Sequence, residues 1–285
     1  MMVIIGWLVA LACIFGAYVA IGGYIEVLIQ PSKFIMIFGG ALGAMIAASN
    51  PHAFKHALGG IASCFKGSKY SKKFYMELLA LLYDIMAKGR KEGLMALESD
   101  IDEPENSPVF SKYPLIQRNH HVMEFVTDYL RMMVGGNLNP MEIENLMDSE
   151  IETHLQEEMH TAHAVTKMAD ALPAFGIVAA VMGVVITMGS LHLPPEELGK
   201  LIGTALVGAF LGILLSYAFI APLGSVLESK AAESAKALQT VKVVLLASIN
   251  GFAPQVCVEF GRKVLFANER PSFTELEEDI KARKG

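Results

Sequence analysis

The sequence predicts an all-α integral membrane protein with four transmembrane helices, of which the third and fourth extend into a helical cytoplasmic domain. Three observations carry that prediction. Four stretches, Met1–Ile25, Phe34–Phe54, Ala171–Pro195 and Leu201–Leu227, contain no Lys, Arg, Asp or Glu, and each reaches the about 20 residues a helix needs to cross a bilayer. The chain is 53% hydrophobic and only 18% charged, against about 25% charged in an average soluble domain. Of its 23 Lys and Arg, 12 lie between Asn50 and Asp170 and 9 between Pro222 and Gly285, and such an excess marks the cytoplasmic side.

Four segments follow: a transmembrane hairpin over 1–49, a cytoplasmic helical domain over 50–170, a second hairpin over 171–227 and a cytoplasmic helical tail over 228–285. Both termini are then cytoplasmic. The first span lacks the basic start of a cleaved signal, and a second span follows at once, so it is expected to remain in place. Its turn, Gly22–Lys33, is tight. Small residues recur one helical turn apart in every span: Ala12, Gly16 and Ala20; Gly39, Gly43 and Ala47; Ala179 and Gly183; Gly199, Gly203, Gly208, Gly212 and Ser216. This spacing lets helix backbones approach closely in lipid, within one chain or between chains.

The segment between the hairpins reads as helix. Phe74, Leu78, Leu81, Leu82 and Ile85, then Val122, Phe125, Val126, Tyr129 and Met133, fall at helical spacing. Gly135–Gly136 stops the second of these helices. Asn139 is placed to cap the next, with Pro140 in its first position and Glu142 behind it. From there a polar helix is expected to run into span three, and span four to run on through Glu228–Ile249. Asp100–Pro114, with three prolines, reads as a loop, and Pro271–Ser272 opens a short acidic helix. Residues 50–170 hold 18 acids against 12 bases, which excludes a nucleic-acid surface. Cys13, Cys64 and Cys257 have no metal-like spacing and read as inert thiols.

Chemistry-bearing motifs are absent, and no enzyme, cofactor or metal is expected. His154, His160 and His163 with Glu157 and Glu158 lack the second carboxylate-histidine set that a helical di-metal site needs. Proteins that move ions through a membrane usually keep an ionisable group at mid-depth. Here the spans hold none, so any such group must come from a partner. Two prolines draw attention by position, Pro173 at the cytoplasmic entry of span three and Pro222 at the cytoplasmic exit of span four. Each can merely start or kink a helix, or loosen backbone beside a partner's titrating group. Arg90 and Glu98 flank the apolar run Leu94–Leu97, with Gly89 and Gly93 expected to break the helix there. On these residues alone they read as the ends of a solvated turn.

The runs LPAFGIVAAVMGVV, LGILLSYAFIAPL, RKEGLMALESDI and ERPSFTELEE resemble the MotA family, four-span stator proteins of the bacterial flagellar motor, and the resemblance covers essentially the whole chain. It implies a homo-oligomer, five copies around two helices of a MotB-like, single-span, peptidoglycan-binding partner that brings the ion-binding aspartate. It implies that Pro173 and Pro222 line that aspartate's surroundings, and that Arg90 and Glu98, with Glu150 as a weaker match, engage the rotor protein FliG. Ala180 and Ala209 stand where sodium-type relatives carry threonine, so protons are the expected ion. Thr204 and Thr187 remain as hydroxyls towards the outer side. Ala209 also departs from the hydroxyl usual in the family. The rival readings are an ExbB/TolQ-like energiser of outer-membrane processes, a sodium-driven stator, a solute transporter with its own site and an inert scaffold. The first usually has three spans and lacks the Arg90/Glu98 segment. A transporter calls for inverted repeats or an intramembrane charge.

Overall fold

The computed structural model describes residues 2–49, 51–136 and 139–283, the side chains of 52 and 53 excepted. Among them every regular element is helical. In chain order these are α1 (Met2–Ala20), α2 (Ile25–Leu28), α3 (Pro31–Ala48), α4 (Pro51–Cys64), α5 (Lys72–Glu92), α6 (Glu98–Asp102), α7 (Pro114–Gln117), α8 (His120–Gly135), α9 (Pro140–Met188), α10 (Pro195–Leu214), α11 (Ala221–Ile249), α12 (Pro254–Lys263) and α13 (Phe273–Ala282). Four helical stretches, Met2–Ala20, Ile25–Ala48, Pro140–Met188 and Pro195–Ile249, are long and apolar enough to cross a membrane. The last two run 49 and 55 residues, well beyond a bilayer's about 20, as expected of spans three and four. Span two is shorter than its apolar run. Ser49 turns extended (φ −109°, ψ 145°) and Pro51 starts a new helix, so the span ends at Ala48 and not Phe54.

The chain forms two compact units. One comprises residues 1–67 and 157–230, the other 68–156 and 231–285; α9 and α11 each contribute to both. The first unit packs Ile37, Ala41 and Met45 of α3 with Leu172 and Ala179 of α9 and Leu223 and Leu227 of α11. The second has an aromatic core. Phe74, Tyr75, Phe110, Tyr113, Phe125 and Tyr129 are buried with Leu78, Leu81 and Val244, the helical-spacing residues picked out above among them.

Local signals set the helix ends of the second unit. Asn119 Oδ1 accepts from the Val122 amide, Gly136 (φ 76°) ends α8, and Asn139 Oδ1 accepts from the Met141 amide at 3.0 Å. Between Asp100 and Pro114 the expected loop is instead broken into α6, a 3-10 turn at Phe110–Lys112 and α7, because Ile101, Phe110 and Tyr113 are drawn into the core.

Ser272 and Glu275 form a reciprocal capping box on α13, and the Lys72 ammonium bonds Glu275 at 2.7 Å. Lys72 first, then the Ser272 amide and hydroxyl, hold this carboxyl at about 2, below an ordinary glutamate near 4.5. A depressed carboxyl stabilises the fold above its unfolded pKa and loses that contribution as pH falls through the folded value. The amides of α13 should therefore keep their hydrogen-exchange protection above pH about 4.5 and lose it towards pH about 2. Unchanged protection at pH 2 would count against the cap.

Candidate functional site

The last part of α9 and the part of α10 that faces it are apolar helices whose contact is made by glycine and alanine. A Cβ added at Gly212 would stand 2.6 Å from the Leu172 carbonyl oxygen and 2.7 Å from Gly176 Cα. One at Gly208 would stand 2.9 Å from the Ala180 amide nitrogen, and one at Gly183 2.9 Å from Ala205 Cα. The small-residue stripes of spans three and four thus bring two backbones together within one chain. Those of α1 and α3 do not: Gly16, Gly39 and Gly43 have nothing of this chain within 4 Å of the same position.

Both prolines fall where these helices lose their regular hydrogen bonds. Pro173 lies inside α9, and having no N–H it leaves the Ala169 carbonyl, one turn earlier, without its helical donor. The fold supplies another. The Ser216 hydroxyl, itself 1% exposed, donates to the Ala169 oxygen at 2.7 Å. Ser216 belongs to a π turn, Leu215–Ile220, between α10 and α11, and its own carbonyl accepts from the Ala221 amide, one residue before Pro222. The kink expected at Pro222 thus takes the form of a widened turn ahead of it. Such turns are rare and recur at functional sites.

The span residues singled out from the sequence are only partly covered: Pro173, Ala180, Thr204, Ala209 and Pro222 are all half-buried. Ala180 lies at the Gly208 contact, with Ala209 next to it in sequence. Thr204 is engaged through its backbone, since the buried Lys33 ammonium donates to its carbonyl oxygen. Thr187 spends its hydroxyl on the Gly183 carbonyl at 2.9 Å.

Arg90, Glu98 and Glu150 belong to the second unit. Arg90 occupies the last turn of α5 and Glu98 the first position of α6, both exposed, and among the described residues neither enters an ion pair. Gly93 alone ends α5; Gly89, expected to help break it, lies inside. The reason is local. Gly93 takes φ 89°, ψ 155°, a region open essentially only to glycine, and the 3-10 turn Leu94–Leu97 folds back so that Leu94 and Leu97 cover Gly89. Arg90 also lines a cavity of about 440 Å³ with Met86, Leu94, Met133 and Phe252. Glu150 on α9 accepts from the Tyr129 hydroxyl at 2.7 Å; burial first, then this bond, push the phenol's pKa up.

The sequence reading missed the two contacts that hold these parts in place. One is Ser216. The other is the buried Asp100 carboxylate, which pairs with Lys88 at 2.5 Å and accepts from Ser107 Oγ at 2.6 Å, thereby closing the Arg90–Glu98 turn. A proline inside an apolar helix is itself a signal that the carbonyl one turn back needs another donor, for which a serine or threonine hydroxyl is one source. Nothing local marks the Lys88–Asp100 pair.

Fold and site together define a class: an all-helical membrane protein with close-packed, proline-marked spans that contain no carboxylate. Residues 117–240 match the MotA/TolQ/ExbB proton channel family, and residues 4–93 match the motility protein A N-terminal family. The chain is 49% identical to motility protein A of Salmonella typhimurium, over 99% of this chain and 96% of that one. It is also 49% identical to motility protein A of Escherichia coli, over 100% and 96%. The solved structure of Campylobacter jejuni MotAB has the same fold, with a TM-score of 0.80 at 23% identity, covering 95% of this chain and 98% of that one. The chain belongs to the motility protein A family.

Proposed function

We propose that this chain is a stator subunit of a bacterial flagellar motor. Several copies wall a proton channel whose titrating carboxylate is brought by a single-span, peptidoglycan-binding partner of the MotB kind. The observation that carries the reading is the meeting of two proline-marked turns, at Ala169–Pro173 and Ser216–Pro222, beside apolar stretches, 171–195 and 201–227, that hold no acid; the exposed Asp170 stands just outside the first of them. A helix lacking a regular hydrogen bond at such a turn bends there before it bends elsewhere. A neighbouring carboxylate that gains and loses charge therefore has a hinge to act on. Pro173 and Pro222 are the hinges; Ala180, Ala209 and Thr204 belong to the wall. With alanine at 180 and 209, the wall offers a desolvated sodium ion no side-chain oxygen at those two positions, and Thr204 is the hydroxyl that remains in it.

In this reading residues 1–49 and 171–227 are inner-membrane hairpins, and 50–170 and 228–285 lie in the cytoplasm with both termini. The chain catalyses no reaction. Arg90 and Glu98, exposed and without an ion pair among the described residues, meet charges of opposite sign on a rotor protein of the FliG kind, and Glu150 is a further contact. The magnitudes are compatible. One charge crossing the membrane releases about 2.3 kcal/mol per 100 mV, whereas an exposed ion pair is worth about 0.2–1 kcal/mol. Each proton can break and remake such a contact with energy to spare.

Reversing both charges (Arg90→Glu with Glu98→Lys) should leave the chain in the membrane at its normal level and slow swimming several-fold; normal swimming would remove the rotor assignment. Collapsing the proton gradient should stop rotation while sodium removal does not. The opposite pair of results would make the stator sodium-driven.

A further inference from the structure

We propose that Ser216 is a positioning residue for ion-driven motion: its hydroxyl clasps the Ala169 carbonyl that Pro173 orphans, and so ties the break in span three to the π turn that precedes Pro222. The inference rests on the stator reading for its purpose, although the clasp itself is a matter of hydrogen-bond accounting. A buried carbonyl without a donor is costly, and Ala169 is buried. Pro173 removes the helical donor of Ala169, and among the described residues the Ser216 hydroxyl is the side-chain donor that meets that oxygen, at 2.7 Å. Ser216 has a second attachment. Its carbonyl is held by the Ala221 amide in the wide register, immediately before Pro222. One residue thus touches both irregular turns, by its side chain on one side and its backbone on the other.

Such a contact is suited to switching. A serine hydroxyl within a helix has an alternative acceptor in the carbonyl one turn back on its own helix, so release from Ala169 does not strand it. When span four shifts against span three, the clasp opens and Ala169 loses its donor; when the shift reverses, it closes. The glycine contacts at Gly176–Gly212 flank this point and hold the two backbones close enough for a short side chain to reach.

The test is a double-mutant cycle on the full chain, produced with its partner and held in lipid nanodiscs. Ser216→Ala should lower the unfolding temperature by about 3 °C, the size of one lost buried hydrogen bond in a chain of this length. In a Pro173→Ala background, where residue 173 again donates to Ala169, adding Ser216→Ala should change it by less than about 1 °C. Equal losses in both backgrounds would overturn the clasp. For positioning, Ser216→Thr, which keeps the hydroxyl, should retain at least about half of the parent's rotation speed, and Ser216→Ala about a fifth or less at equal membrane level. The alanine variant should also show a displaced dependence of speed on external pH. Parent-like speed and pH profile in Ser216→Ala would refute the positioning role even with the cycle intact. If the parent chain itself fails to restore rotation to stator-less cells, the stator reading falls, while the cycle still decides the clasp.

Discussion

Replacing Gly212 with alanine is expected to unseat span four from span three and to abolish swimming. The added methyl group would stand 2.6 Å from the Leu172 oxygen and 2.7 Å from Gly176 Cα. Both are backbone atoms, so no side chain can rotate aside. Alanine is favoured over glycine within a helix by about 1 kcal/mol, but overpacking of this kind costs about 1–3 kcal/mol, and backbone obstruction puts this site at the upper end. The loss wins. It also falls on either side of Pro173, where the backbone is already short of one hydrogen bond. The comparison is Gly43→Ala, at a position with nothing of this chain within 4 Å. That variant should raise the unfolding temperature of the isolated chain by about 2–4 °C, because the helix preference for alanine meets no obstruction there. If it also impairs swimming, its stripe packs against another copy or the partner. Thermal unfolding in nanodiscs and swimming speed decide both cases; an unaltered Gly212→Ala protein would mean that the two spans lie further apart than described.

Much of this architecture was legible because it depends on neighbours in sequence. Uncharged runs mark the spans, Gly135–Gly136 stops α8, and Asn139 and Ser272 cap their helices through amides two or three residues away. The prolines were legible as positions but not as mechanisms. Whether Pro222 kinks a helix or follows a widened turn depends on which carbonyl the Ala221 amide finds, a choice made by packing. The Ser216 bond joins residues 47 apart in sequence, and periodicity is blind to such pairs. Gly89 misled for a related reason. A glycine before a helix end suggests a break, yet this one is needed small because Leu94 and Leu97 return over it.

Lys88→Met should destabilise the second unit more than Asp100→Asn, although the two substitutions break the same contact. The Asp100 side chain is only 4% exposed, while that of Lys88 is 25% exposed. Without Lys88 a carboxylate stays buried with Ser107 as its remaining partner, and an uncompensated buried charge costs about 3–5 kcal/mol. Without the Asp100 charge, the long lysine stem can turn its ammonium to water, and the loss is nearer the about 1–3 kcal/mol of a broken buried hydrogen bond. The double variant Lys88→Met/Asp100→Asn should recover part of the damage, because it removes both charges together. The consequence for function is specific. Lys88 and Asp100 bracket the turn that carries Arg90 and Glu98, so weakening the pair should raise hydrogen exchange at Gly93–Leu97 and slow swimming without touching either exposed charge. Equal losses from the two single variants would show that Asp100 is better hydrated than its burial implies. Normal swimming beside raised exchange would show that Arg90 and Glu98 need no fixed geometry to act.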